Sequence, residues 1–421
     1  MTIRKILPYL LGLLFLAFLI RQAMGNGDFA VFLEASKLVR SGINPYDKWI
    51  PISEGHACLY FYSPLWALLL IPFSSLPNFI PNFLWLLLNA WCTFRILKLL
   101  AAYFDYSLLS IKQRNLIIGL TLALSLRFIL YNFSLIQVTL FLLWGSLESL
   151  RLFRDKKYLP GAMLLAFVIN IKILPLILLP YLLYRKEFKG FVLTVVCYVA
   201  YIFIPSIVLG WKFNTELLFA WWGTINPSNA EHLLETGLGP HSLTALIPVM
   251  LTPSTGEINI TRNLMNLSPD SAILIMNCVR LGLILLTFCF IKWPPFTTSK
   301  SKYQELHELA YLFLVVPLIF PHQQKYAFVF MIPAVFYIST YLVLLYKRKN
   351  AKDQHLFRFL IFLSLLFFIL TTLTTDGLIG KQANQWTQHF KLITYGMLVL
   401  VIVLIKCNPE KILPQSETSQ N

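Results

Sequence analysis

The chain has 421 residues, of which 57% are hydrophobic and only 13% charged, with a net charge of +16. Soluble domains carry about 25% charged residues, so a mean hydropathy of +0.68 excludes an ordinary soluble domain and points to a polytopic membrane protein. The positive charge does not imply a nucleic-acid partner, because Lys and Arg sit in short loops between apolar runs, where they report which side is cytoplasmic.

Arg4 and Lys5 precede the apolar run LPYLLGLLFLAFLI, so a first span is expected over 6–23, leading outward and retained as an anchor. A first extracytoplasmic loop follows over 24–64, NGDFAVFLEASKLVRSGINPYDKWIPISEGHACLYFYSP from Asn26. Its apolar spacing predicts an amphipathic helix over 29–41, ended by Gly42 to Pro45. The stretch 65–76 is too short for an ordinary span and reads as a half-helix. Residues 79–102 form the next span, and 115–131 with 135–150 form a hairpin turning at NFSLIQ. Residues 158–184 lie between two basic loops, which one crossing cannot satisfy. Two short helices are therefore expected, bent near Asn170-Ile171-Lys172.

A span over 191–209 leads to a large extracytoplasmic loop, 210–270, with turns at Asn226-Pro227 and Gly239-Pro240. Further spans are expected over 271–292, 307–320, 326–346, 356–375 and 391–406, with both termini cytoplasmic. The six cysteines include no CxxC pair, and only Cys58 falls in an expected outer loop, so no disulfide framework is implied. Residues 1–410 read as one transmembrane domain and 411–421 as a cytoplasmic tail.

The candidate functional residues are few. Asp28 stands just outside the first span beside Gly25 and Gly27, where it reads either as the N-cap of the next helix or as a reactive carboxylate. Glu34, six residues on, falls about 120° around the helix from Asp28, so the two are not a pair on one face. Lys172 is an ionisable residue within an apolar helical pair, which is a functional hypothesis by default, against simple snorkelling to the interface. The turn PHQQK sets His322 and Lys325 three residues apart, a pairing suited to a phosphate or to an ordinary polar loop. Tyr46, His56, Tyr60 and Tyr62 are candidates for lining a sugar site, or for an interfacial aromatic belt. Gln137, Arg127, His241 and Arg280 are further candidate lining groups. HExxH, GxSxG, P-loop and dinucleotide patterns are absent from the sequence, so no metal and no cofactor is expected, and a transferase would draw its donor from the membrane.

Together GDFAVFLEASKLVRSGINPYD, YFYSPLWALLLIPFSSLP, SLIQVTLFLLWGSLES, LPGAMLLAFVINIKILPLILLPYLLYRKEFKG, GPHSLTALI and FPHQQKYAFVFMIPAVF resemble, in order, glycosyltransferase family 87. These are polyprenyl-phosphate-mannose-dependent α-mannosyltransferases of the C-type membrane fold. The hairpin reads Ile136-Gln137-Val138-Thr139 where the family often has Gly-Gln and Asn. The resemblance implies an all-α bundle of about twelve membrane helices, some of partial depth, with extracytoplasmic loop helices. It implies Asp28 as catalytic base and Lys172, His322 and Lys325 as contacts to the donor phosphate. The donor would be a polyprenyl-phosphate sugar, mannose by resemblance, and the acceptor a glycan or glycolipid at the outer or periplasmic face of the cytoplasmic membrane. The rival class is a transporter or flippase for a lipid-linked saccharide, since short, broken segments also build transport sites.

Overall fold

The computed structural model describes residues 3–53, 56–104, 109–226, 229, 232–254, 256–291, 295–299, 301–348 and 350–412. The described residues are mostly helical, with one antiparallel hairpin, β1 (Ile50–Ser53) and β2 (His56–Cys58), which the sequence pattern does not announce. Six of the described helices are long and apolar enough to cross a bilayer, or seven if a pair bent by 62° is one span. The other apolar helices, among them Pro64–Ser74 and Tyr158–Ile171, are shorter than a crossing requires. About twelve membrane segments were expected, and the difference lies in these partial-depth pieces.

The chain gathers into two compact units. The first comprises 1–96, 130–182 and 187–226, and the second 97–129, 183–186 and 227–421. In the first, α1 (Ile3–Ala23) is followed by α2 (Phe29–Arg40), which lies against α3 (Pro64–Ser74). Ser63 starts α3, its hydroxyl accepting the Trp66 amide at 3.3 Å, and Pro64 supplies the fixed φ suited to a first turn. After α4 (Phe79–Ala101) and α5 (Ile111–Ser134) come α6 (Thr139–Arg154) and α7 (Tyr158–Ile171). The expected break falls where the sequence places it. Lys172 is extended at φ −151° and ψ 134°, and the chain resumes as a 3-10 turn, Leu174–Ile177, and α8 (Leu178–Tyr184). Pro175 has no amide to donate, so α7 could not run through it unbroken. Helix α7 packs against α6 and α9 (Phe188–Phe203), and α10 (Pro205–Leu209) prolongs that span. The expected outer loop after it is more helical than its polarity suggests. It contains α11 (Trp211–Ile225) in this unit and α12 (Leu243–Leu251) in the other.

In the second unit α13 (Pro269–Phe290), α14 (Lys302–Ile319), α15 (Ile332–Tyr346), α16 (Ala351–Thr371), α17 (Asp376–Ile379), α18 (Lys381–His389) and α19 (Leu392–Lys406) follow in order. Helix α14 is central: it packs on α13, α15 and α19, and all but its first and fourth residues are buried. It carries Glu308, whose carboxylate has no solvent exposure and takes Arg185 Nη2 at 2.5 Å and Nε at 2.9 Å. Gln304 Nε2 at 3.0 Å and Ser299 Oγ at 3.2 Å complete its partners. Breaking a buried pair costs about 3–5 kcal/mol because the survivor is left uncompensated, whereas replacing both partners by apolar groups is often neutral. Glu308→Leu is therefore expected to lower the detergent melting temperature by several degrees, and Arg185→Met added to it should restore most of the loss. A double variant no better than Glu308→Leu would place the cost elsewhere.

Candidate functional site

Between α1 and α2 the chain runs Gly25-Asn26-Gly27-Asp28 and docks, within the first unit, on the α5–α6 turn. A Cβ on Gly27 would lie 2.6 Å from the Leu135 carbonyl oxygen, so only glycine permits this approach. The Asp28 amide donates to that same oxygen at 2.9 Å. The turn is itself unusual: Ile136 has φ +52°, a left-handed conformation costly for a β-branched residue, and its side chain is wholly buried. The Ile136 and Gln137 amides close the turn on Phe133 O and Asn132 O at 3.1 and 2.9 Å.

This approach decides what Asp28 does. Asp28 occupies the N-cap position of α2, yet its side chain makes no capping bond. The carboxylate instead accepts a short hydrogen bond at Oδ2 from Gln137 Nε2. Gln137 is held on every side. Its Oε1 accepts Tyr62 Oη at 3.3 Å, and its main-chain oxygen accepts Trp85 Nε1 and Asn89 Nδ2, each at 3.1 Å. Behind it Tyr46 Oη donates to Tyr62 O at 2.7 Å and Tyr60 Oη to Ser63 O at 3.1 Å. Ser63 Oγ reaches Asn170 Oδ1 at 2.7 Å, tying the insert to the last turn of α7. Two residues on, Lys172 Nζ stands 5.8 Å from the centre of the Tyr62 ring and acts electrostatically on Asp28. Phe32 meets Tyr62 edge-on at 4.4 Å and Phe29 stacks on Trp85 at 5.3 Å, so the floor is aromatic.

Burial raises the Asp28 carboxyl above its ordinary value, outweighing the Gln137 hydrogen bond and the Lys172 charge, which pull it down. A carboxylate raised toward neutrality is a stronger proton acceptor. Cys58, exposed on the hairpin, senses the same charge: burial first and then Asp28 push its thiol up.

Asp28, Gln137, Tyr46, Tyr60, Tyr62 and Lys172 thus come together. Glu34 does not join them: it pairs with Lys37 at 3.0 Å on an exposed face of α2, as the helical angle requires. The side chain of His56 lies outside the described residues. His322, Lys325 and His241 belong to the second unit. There His322, at φ +56°, sets Nδ1 2.6 Å from Oε1 of Glu235. The ring of His241 is wholly buried. Burial, followed by the charges of Lys391, Lys325 and Arg127, holds it well below the usual imidazole range, so it is neutral. Arg127 is anchored by the Thr371 carbonyl and by Thr374 Oγ1 at 2.6 Å. Lys391 gathers the carbonyls of Gly237 and Pro240 at 2.5 and 2.8 Å. Arg280 does not join this cluster in any recorded bond; its Nη1 meets Asn277 Oδ1 at 3.3 Å along its own helix. Among the described residues no cluster of three His, Cys, Asp or Glu could hold a metal ion.

Gly27, Asn170 and Glu235 are the residues that sequence reasoning passed over. Only Gly27 left a signal, as one of two glycines flanking the residue before the acid.

The direction at Asp28 has a consequence for stability. A carboxyl raised in the folded state contributes stability below its unfolded value, about pH 3.9, and loses it as pH rises through the folded value. Neutral Asp28→Asn should therefore melt at or above the wild-type temperature at pH 8, with the gain vanishing near about pH 4. A lower melting temperature for the variant at pH 8 would contradict the burial account.

Residues 60–254, just under half of the chain, match the family model described as glycosyltransferase family 87. Neither a curated protein nor a solved structure matches the chain. The matched stretch takes in Tyr60, Tyr62, Gln137, Lys172 and His241, while Asp28 precedes it and His322 and Lys325 follow it. The chain is a glycosyltransferase, matched to family 87 and built as an all-α polytopic membrane protein.

Proposed function

We propose that this glycosyltransferase moves a sugar, mannose, from a polyprenyl-phosphate donor to a glycan or glycolipid acceptor, with Asp28 as general base. The observation that carries the proposal is the carboxylate of Asp28, freed from capping α2 and aimed at Gln137 beside Lys172. In the reaction the acceptor hydroxyl attacks the anomeric carbon as Asp28 Oδ takes its proton. The bond from that carbon to the phosphate oxygen breaks, and the phosphate leaves with the electron pair. A single displacement inverts the anomeric configuration.

Gln137 holds the carboxylate in place, and Tyr62 holds Gln137, so the base meets the acceptor in a fixed orientation. Lys172 supplies positive charge for the leaving phosphate, a preorganised electrostatic role. In the second unit His322, Lys325 and Arg127 provide cationic groups suited to an anion of the same kind. The aromatic surfaces of Tyr46, Tyr60 and Tyr62 are largely buried, so they shape the wall under the base rather than offer open faces to a sugar. The site faces the outer or periplasmic side of the cytoplasmic membrane, with Lys156 and Arg154 in a cytoplasmic loop.

Asp28→Asn removes the proton acceptor while keeping the volume. General-base assistance contributes about 10²–10⁴-fold, so the variant is expected to bind donor normally and to transfer sugar at least about a hundredfold more slowly. Purified protein in detergent, given synthetic polyprenyl-phosphate mannose and a membrane acceptor extract, provides the measurement. Near-wild-type turnover with chemistry rate-limiting would remove Asp28 from the mechanism. Cysteine at Lys48 should react with an impermeant thiol reagent added outside intact cells, and cysteine at Lys156 should not. The reverse pattern would move the site to the other face.

A further inference from the structure

In the second unit, one buried carboxylate gathers three separate stretches of chain. Glu235 is only 6% exposed, and its oxygens take hydroxyls from Thr244 at 2.5 Å and Ser242 at 3.3 Å. The amide of His322 donates to the same carboxylate at 3.0 and 3.2 Å, and the ring nitrogen Nδ1 of His322 lies 2.6 Å from Oε1. The grip is thus double, on the main chain and on the ring. It acts where the backbone needs it, because His322 sits in the left-handed region at φ +56°. His232 closes the other side, its ring meeting that of His322 edge-on at 4.2 Å. The two partners differ in exposure: the Glu235 side chain is 4% exposed and that of His322 36%. The carboxylate is therefore inside, and the imidazole is the part presented outward.

A buried carboxylate with this many donors is worth more than a cap on a loop. Its geometry fixes the proton on Nδ1 of His322, since a carboxylate oxygen at that distance accepts a hydrogen and cannot supply one while ionised. The opposite ring edge, Nε2, is then directed by a residue that touches no substrate. Burial alone would raise the Glu235 carboxyl, but His322 and Thr244 bring it below the usual range, so it stays ionised.

We propose that Glu235 is the positioning residue for His322, holding its imidazole by main chain and Nδ1 so that the other edge meets the anionic part of the donor. The proposal rests on the reading of His322 as a donor contact given above, and it adds a residue to which neither the motifs nor the family match assigns a role. Ser242 and Thr244 seat Glu235, Glu235 seats His322, and His322 meets the ligand.

The test is a double-mutant cycle on the full-length protein in detergent, with synthetic polyprenyl-phosphate mannose varied at saturating acceptor. His322→Ala is expected to raise KM for the donor. Glu235→Gln is expected to raise it about tenfold, the scale of one charge-assisted hydrogen bond, with kcat changed less than about threefold. In the His322→Ala background Glu235→Gln should add less than about twofold, because the group it positions is gone. If Glu235→Gln melts early, Thr244→Val serves in its place, removing one hydroxyl that seats the carboxylate, with a smaller effect of the same pattern. An equal effect of the Glu235 or Thr244 substitution with and without His322 would make the role structural and overturn the proposal. Wild-type kinetics for Glu235→Gln beside an impaired His322→Ala would overturn it while leaving the reading of His322 intact. Wild-type kinetics for His322→Ala would overturn both.

Discussion

Everything proposed for the first unit depends on how closely Gly27 approaches the Leu135 carbonyl. Because no Cβ intervenes, the Asp28 amide can reach that carbonyl at 2.9 Å and the carboxylate can reach Gln137. Any other residue at position 27 would push the acid off the turn by roughly the depth of a methyl group, and the hydrogen bond to Gln137 would go first. The strain of Ile136 on the other side of this contact has the same meaning. The related family often has glycine where this chain has isoleucine, and a glycine would adopt the left-handed conformation at no steric cost. Here the conformation is retained with the wrong residue for it, held by burial of the isoleucine side chain and by the amides that close the turn.

The aromatic groups around this contact act as a frame. Tyr46, Tyr60 and Tyr62 are held by main-chain or side-chain oxygens, and Phe29, Phe32, Trp66 and Trp85 touch edge-on or stacked. Such groups have few rotatable bonds, so they fix Gln137 at low entropic cost. The α7 break performs the complementary task for the cation. A lysine in mid-helix would point wherever its helical face dictated. At an extended residue between two short helices it is released toward Asp28 and Tyr62.

Much of this was legible in the sequence. The membrane class followed from composition, and the helix after Asp28 from its apolar spacing. The break near Lys172 followed from basic loops on both sides of a segment that could not cross twice. The exclusion of Glu34 followed from helical angle alone. What could not be read is what depends on distant partners. Capping and catalysis ask for the same residue type at the position of Asp28, and only the location of Gln137, more than a hundred residues on, separates them. Glu235 was invisible for the same reason, since His322 lies 87 positions away and nothing in the local sequence distinguishes it from a solvated loop acid. The β1–β2 hairpin escaped because its strands, at four and three residues, are shorter than any alternation can reveal.

The two buried carboxylates of interest are treated in opposite ways, and the difference separates their chemistry. Asp28 has one side-chain donor and a distant cation, too little to offset its burial, so its proton affinity rises. Glu235 has two hydroxyls, a main-chain amide and an imidazole, and these more than offset its burial, so its proton affinity falls. An acid that must accept a proton during a reaction needs the first environment, because a carboxylate already satisfied by many donors gains little from protonation. An acid that must hold another side chain still needs the second, because its charge must persist and its lone pairs must be spoken for. Environment thus supports assigning proton transfer to Asp28 and orientation to Glu235. Exchanging the roles would require Glu235 to surrender four donors before it could act as a base.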